Sequence, residues 1–134
     1  MISQTLLLIK PDGIKKKIIG NIITKLENNN LDIIKIKIIK LDKNKAIFFY
    51  NEHKDKPFFN ELVEFITSYK IMALILEGNN SIIKVRELIG STNYKLAKKD
   101  TIREKWGSSI TENVVHASDS LDSFKKEVKI IFND

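Results

Sequence analysis

Ile34-Lys35-Ile36-Lys37-Ile38 alternates apolar and cationic side chains. A period of two belongs to a strand, and this pattern predicts a half-buried one with a wet face: isoleucines inward, lysines outward. Upstream, Thr5 to Ile9 reads as a buried strand stopped by Pro11-Asp12-Gly13. Between the two, Ile18, Ile19, Ile22, Ile23 and Leu26 recur at helical spacing, so a helix runs to Asn28.

Downstream, Asp42 is placed to cap a helix carrying Ala46, Phe49 and Tyr50. After Pro57, the stripe Phe59, Leu62, Val63, Ile66 predicts another amphipathic helix. Ile71 to Leu76 is the most apolar run and predicts a central strand. Ile82, Val85 and Ile89 mark a helix ended by Gly90. A polar segment without regular pattern follows, from Ser91 to Thr111, and loops of that length in a compact domain are usually functional. Val114-Val115 predicts a short strand, and Leu121, Phe124, Val128 and Ile131 predict the last helix. This order does not demand a parallel sheet. It fits an α+β ferredoxin-like sandwich, a mainly antiparallel four-stranded sheet with helices packed on it.

The 134 residues suit one domain, 1–134, with no Pro-, Gly- or Ser-rich linker and no repeat. A hydrophobic content of 43% is enough for a real core. The absence of cysteine excludes disulfides, thiolate chemistry and Cys-based zinc sites. No signal peptide pattern opens the chain, and no apolar run reaches the ~18 residues that span a membrane. These features predict a soluble cytoplasmic protein. The net charge of +6 implies attraction to phosphates, although surface lysines alone produce such a value.

Several residues break the surface pattern. His116 lies between a predicted strand and a helix whose cap is Ser118, Asp119 or Ser120. A helix N-terminus favours anions and disfavours imidazolium, and a neutral histidine beside an anion is what attack on phosphorus needs. Glu127 sits at the edge of the last helix's apolar stripe, where its carboxylate can fix the imidazole tautomer. Arg86 falls beside Ile82 and Ile89 on the apolar side of its helix, which predicts either a carboxylate partner or an anion at the helix end. Arg103 and Thr92, in the polar segment, can hold phosphate oxygens. Lys10 ends an apolar strand, Asn113 precedes the His116 strand, and Tyr50 and Phe58 lie near loop boundaries, with Phe58 beside rather than on its helix stripe. Read alone, most of these are more often structural than functional. No Walker or dinucleotide-binding glycine motif is present, and the two histidines, His53 and His116, lack metal-ligand spacing.

Together, Ile9-Lys10-Pro11-Asp12-Gly13, Phe49-Tyr50, His53, Pro57-Phe58-Phe59, Leu76-Glu77-Gly78, Arg86, Gly90-Ser91-Thr92-Asn93, Thr101-Ile102-Arg103 and Asn113-Val114-Val115-His116-Ala117-Ser118-Asp119 resemble the nucleoside diphosphate kinase family over residues 5 to 132. The resemblance implies a ferredoxin-like fold and a ping-pong transfer of the γ-phosphate of a nucleoside triphosphate, typically ATP, to a nucleoside diphosphate through a phosphohistidine on His116. It implies that Arg86, Thr92, Arg103 and His53 contact phosphates. Lys10 and Asn113 would hold ribose hydroxyls, with Lys10 also near the transferred phosphate and Tyr50 close to the histidine. Phe58 and Ile110 would clamp the base, while Glu127 and Ser118 orient the imidazole. Mg²⁺ would be held mainly by nucleotide phosphates, helped by Asp119. The implied partners are nucleoside di- and triphosphates and further copies of the chain, as a hexamer or tetramer. No membrane is implied.

The chain departs from the family pattern at Tyr94, where Pro is common, at Asp100, where Gly is common, and at Tyr69-Lys70, where Gly-Pro is common. The first two fall in a loop that also serves subunit contacts. A nucleic-acid-binding module is a competing reading, since RNA-binding domains share the sheet architecture. The aromatic RNP pattern is absent, and the isoleucine strand alternates with lysine rather than stacking aromatics, so nucleic acid is not expected as the main partner.

Overall fold

The computed structural model describes residues 1–133; Asp134, the last residue of the expected domain, lies outside the described residues. Four strands form one antiparallel sheet in the order β2-β3-β1-β4: β1 Ile2–Ile9, β2 Asp32–Ile39, β3 Ile71–Asn79 and β4 Val115–Ala117. The helices are α1 Pro11–Lys15, α2 Ile19–Asn28, α3 Lys43–Phe49, α4 Phe59–Thr67, α5 Ser81–Ile89, α6 Ile102–Trp106 and α7 Leu121–Ile131. This is the ferredoxin-like α+β arrangement the element order implies. Among the described residues no helix is long and apolar enough to cross a membrane.

The inner strands β1 and β3 are apolar on both faces because both faces are covered. Leu7 and Ile9, with Met72, Leu74 and Leu76, pack against α2 and α5. Leu6 and Leu8, with Ile71, Ala73 and Ile75, pack against α3, α4 and α7. Leu6 to Ile9 are fully buried, and burying one such side chain contributes about 1.5–3 kcal/mol. Polar caps set the helix starts as the sequence implies. Asp42 accepts from Lys45 N–H at the start of α3, and Ser120 accepts from Ser123 N–H at the start of α7. Gly90 ends α5 at φ +88°, a conformation open to glycine at no steric cost.

Four expectations need correction. Ile36 and Ile38 do share a face with Leu74 and Met72 by register, yet they are 52% and 56% exposed, and Ile34 is exposed beside them. β2 is the sheet edge and carries a bulge between Ile33 and Lys35; Ile33 packs on the core beside α2, and among the described residues the rest of this face is left largely open. The Pro11 stop opens a short helix, α1, with proline at its first turn, where a missing N–H costs nothing. The polar segment after Gly90 is not structureless: it holds a 3-10 turn at Tyr94–Leu96 and α6, capped by Thr101. Finally, the short strand is Val115–Ala117 rather than Val114-Val115, so His116 sits within the sheet and not beyond it.

Candidate active site

Antiparallel pairing sets His116 opposite Leu8, on the sheet face covered by α3, α4 and α7. The ring therefore meets Phe49 edge-on at 4.9 Å and Tyr50 at 6.4 Å between centroids. From α7, Glu127 Oε2 stands 3.1 Å from His116 Nε2. The other carboxylate oxygen accepts from the Ser118 hydroxyl at 2.6 Å. A carboxylate only accepts, so this bond puts the proton on Nε2 and leaves the Nδ1 lone pair for chemistry. Ser118 reaches the imidazole through Glu127 rather than directly. Both Ser118 and Glu127 are buried, which holds the carboxylate in one orientation.

A cavity of about 460 Å³ opens over this histidine. Its lining brings together Lys10, Tyr50, His53, Phe58, Arg86 and Thr92 with Arg103, Ile110, Asn113, His116, Asp119 and Glu127. Those are the candidate residues of the sequence, save Ser118, which stands behind Glu127. Glu52, Lys56, Leu62 and Ala117 also line it and carry no sequence signal that would single them out.

Two of the three cations are held by hydrogen bonds to the backbone and to Asn113. Lys10 Nζ is buried and donates to Asn113 Oδ1 at 2.8 Å and to Thr111 O at 3.2 Å. Burial, then the neighbouring Arg103 charge, lowers its pKa to about 7, against the opposite pull of Asp12. Arg103 donates to the carbonyls of Gly90 (3.0 Å), Val115 (2.7 Å) and Asn113 (3.4 Å), tying the end of α5 to β4. A guanidinium has five N–H donors, so two remain. Burial first, and Arg86 second, lower the Arg103 pKa to about 10. Arg86 is not buried on the apolar side of α5. It is exposed at the cavity rim, and its hydrogen bond from Nη1 to Ala117 O is long at 3.4 Å. An arginine near the edge of a helix stripe can carry its charge out along a flexible stem.

Phe58 and Ile110, both partly exposed, offer apolar surface at the outer part of the cavity. The Thr92 carbonyl accepts from Asn113 Nδ2, fixing the asparagine amide. Tyr50 is buried, and burial, then Glu127, push its hydroxyl well above the usual phenol value, so it stays neutral. His53 Nδ1 is buried without a partner, a polar atom at the cavity wall that lacks a hydrogen bond. Asp119 is exposed at the rim. Its carboxyl is held below the ordinary value chiefly by the Ser123 hydroxyl.

A sequence model of the nucleoside diphosphate kinase family matches residues 3–134. The chain belongs to the nucleoside diphosphate kinase family. It is 47% identical over 129 residues to the nucleoside diphosphate kinase of a Nitratiruptor species, covering 96% of this chain and 94% of that one. It is 40% identical to that of Methanocaldococcus jannaschii over all 134 residues, 96% of the relative. Among solved structures, the Aquifex aeolicus nucleoside diphosphate kinase superposes with a TM-score of 0.95 at 37% identity, over 98% of this chain and 96% of that one. The halophilic nucleoside diphosphate kinase of Halobacterium salinarum, solved in complex with CDP, gives the same score and identity over 100% and 90%.

Two departures from the nucleoside diphosphate kinase pattern now have local geometry. Asp100 takes a positive φ of +69°, a conformation glycine adopts freely and Asp tolerates better than most residues. Its N–H donates to Glu104 Oε1. Tyr94 packs on Gly107, where a Cβ would stand only 2.7 Å from the Tyr94 Cβ.

Proposed function

We propose that this protein is a nucleoside diphosphate kinase in which His116 Nδ1 carries the phosphate. The observation that carries the reading is the His116 imidazole, fixed through Nε2 by a buried carboxylate, in a cavity lined by Lys10, Arg86 and Arg103. In the first half-reaction Nδ1 attacks the γ-phosphorus of a nucleoside triphosphate. The bond from phosphorus to the β,γ-bridging oxygen breaks, and the diphosphate leaves. In the second half-reaction, a β-phosphate oxygen of another nucleoside diphosphate attacks the phosphohistidine, and the N–P bond breaks. Phosphoryl transfer needs positioning and charge neutralisation more than covalent help, which is what the held Lys10 and Arg103 and the rim Arg86 supply.

Arg86, Arg103, Thr92 and His53 contact phosphate oxygens in this reading, the orphaned His53 Nδ1 gaining a partner. Lys10 and Asn113 hold ribose hydroxyls, Lys10 also meets the transferred phosphate, and Tyr50 packs near the ring. Phe58 and Ile110 clamp the base by its faces. Face contacts do not read donor and acceptor patterns, so purine and pyrimidine nucleotides are both substrates. Ser118 acts on His116 through Glu127. Nucleotides are the ligands, in keeping with the CDP complex of the Halobacterium salinarum relative.

Mg²⁺ fits as a nucleotide-borne ion. No cluster of three or more metal-ligating side chains exists among the described residues, but the rim carboxylate of Asp119 is held ionised. Mg²⁺ typically binds one or two carboxylates plus substrate phosphates, so Asp119 is the residue that would help hold it. Its chemistry there is neutralisation of phosphate charge. The enzyme works as one domain, 1–134, in the cytoplasm, where soluble nucleotides are turned over. It self-associates as a hexamer or tetramer, and the exposed isoleucines of β2 are a surface for that contact.

Incubation with γ-labelled ATP and Mg²⁺ should give an acid-labile, alkali-stable phosphoprotein that passes its label to added GDP or CDP. The label should be absent in His116→Ala. Wild-type protein that takes no label refutes the reading.

A further inference from the structure

Two residues before His116, the backbone turns back on itself. Val115 N–H donates to Asn113 O at 2.9 Å, closing a three-residue γ-turn, and Val114 at its centre has φ +76°. Positive-φ γ-turns are rare and strained, and a β-branched residue is the least suited to them. Val114 is also fully buried, so its backbone groups need protein partners. Both have one. The carbonyl accepts from Lys10 N–H at 2.8 Å, and the N–H donates to Asp12 Oδ2 at 2.9 Å. Gly13 permits the approach: a Cβ there would stand 3.0 Å from Val114 Cγ1 and 3.1 Å from Val114 O.

The turn connects two parts of the site. Before it, Asn113 meets Lys10 and Thr92; after it, β4 carries His116 opposite Leu8. We propose that Asp12 is a positioning residue for phosphoryl transfer, its carboxylate holding the strained Val114 turn that sets Asn113 and His116 relative to each other. Asp12 is absent from the lining of the cavity over His116. Its second oxygen, Oδ1, is buried with no partner, so one oxygen is committed to the turn and the other makes no bond. The inference rests on the reading of His116 as phosphate carrier. Strain of this kind persists only where surrounding structure holds it, and it clusters at functional sites.

The test compares Asp12→Ala with Asp12→Asn, which keeps a carbonyl acceptor for the Val114 N–H and puts its amide nitrogen where Oδ1 now makes no bond. A misplacement near 1 Å costs roughly 10²-fold in rate, so Asp12→Ala should lower kcat about 100-fold with little change in nucleotide KM. At saturating nucleotide, whose phosphates keep Lys10 protonated once the Asp12 charge is removed, Asp12→Asn should stay within about fivefold of wild type. Amide exchange at Val114 should quicken at least about tenfold in Asp12→Ala, with β1 amides unchanged, and stay slow in Asp12→Asn. In a Val114→Gly background, where positive φ carries no penalty, the Asp12→Ala loss should shrink below about tenfold. Equal impairment of both Asp12 variants, an undiminished loss in Val114→Gly, or unchanged Val114 exchange overturns the proposal. If the wild type forms no phosphohistidine, the kinase reading fails by itself, and the turn is then judged by Val114 exchange alone. Should Asp12→Ala fail to fold, Asp12→Asn with slow Val114 exchange and near-wild-type kcat supports the acceptor role, and fast exchange contradicts it.

Discussion

Glu127→Gln keeps the shape of the side chain on α7 and removes its charge. In the native site, Oε2 accepts from His116 Nε2–H at 3.1 Å and Oε1 accepts from Ser118 at 2.6 Å, both away from bulk water. As Nδ1 bonds to phosphorus, the ring gains positive charge, and the carboxylate interaction strengthens in the transition state. Hydrogen bonds involving a charged group contribute about 1.5–3 kcal/mol, and each 1.36 kcal/mol is tenfold in rate. The neutral amide should therefore slow His116 phosphorylation by about 10- to 100-fold, with a smaller change in KM, because Glu127 acts through the imidazole, whose charge develops only as the N–P bond forms. If the glutamine instead presents its NH₂ to Nε2, the proton moves to Nδ1 and the loss exceeds that range. Single-turnover quench-flow with γ-labelled ATP measures the step. Ser118→Ala should cost less than Glu127→Gln, and the double variant should be no slower than Glu127→Gln alone, since Ser118 acts only through that carboxylate. A folded Glu127→Gln enzyme within twofold of wild type, or additive losses in the double variant, would refute the reasoning.

Three other consequences are open to measurement. Lys10 has a folded pKa near 7, below the ordinary 10.5, so in the free enzyme it loses its proton as pH rises through 7; phosphates raise that pKa, so binding of a nonhydrolysable triphosphate analogue should take up close to one proton at pH 8 and almost none at pH 6, read by calorimetry in buffers of different ionisation enthalpy. Absence of uptake at pH 8, or its persistence in Lys10→Met, contradicts this. Phe58→Ala should raise KM for ATP, GTP and CTP alike, by about fivefold or more, since loss of an aromatic stacking surface costs roughly 1–3 kcal/mol whichever base is stacked; a penalty confined to one base argues against a face clamp. Ile36→Lys on β2 should shift the protein to a smaller species in light-scattering chromatography while changing the stability of the single chain by only about 0.5 kcal/mol, as expected for an exposed site.

Much of the site was legible because chemistry and period agreed. Glu127 lies on the inner edge of a helix with a clear apolar stripe, so the helical wheel placed it correctly opposite the strand. Leu6 to Ile9 and Ile71 to Ile75 are apolar on both faces because helices cover both. The β2 alternation misled for a related reason. Alternation reports which residues share a face, not whether anything covers it, and at this sheet edge the described residues leave Ile34, Ile36 and Ile38 exposed. Arg86 was misplaced because the wheel fixes a Cα direction, while a long side chain can leave that direction for the rim. α1 and α6 have five residues each, too few to display a period; only Pro11 and the Thr101-x-x-Glu104 capping pattern mark them. The Val114 turn was invisible, since a valine gives no sign of positive φ.

Phosphorus NMR of the protein after reaction with Mg²⁺-ATP and removal of free nucleotide shows which atom carries the phosphate. A single phosphoramidate signal is expected from the Nδ1 position of His116, absent in His116→Ala and discharged by a nucleoside diphosphate. A signal from Nε2, from His53 or from a phosphate ester, or no signal at all, would contradict this assignment.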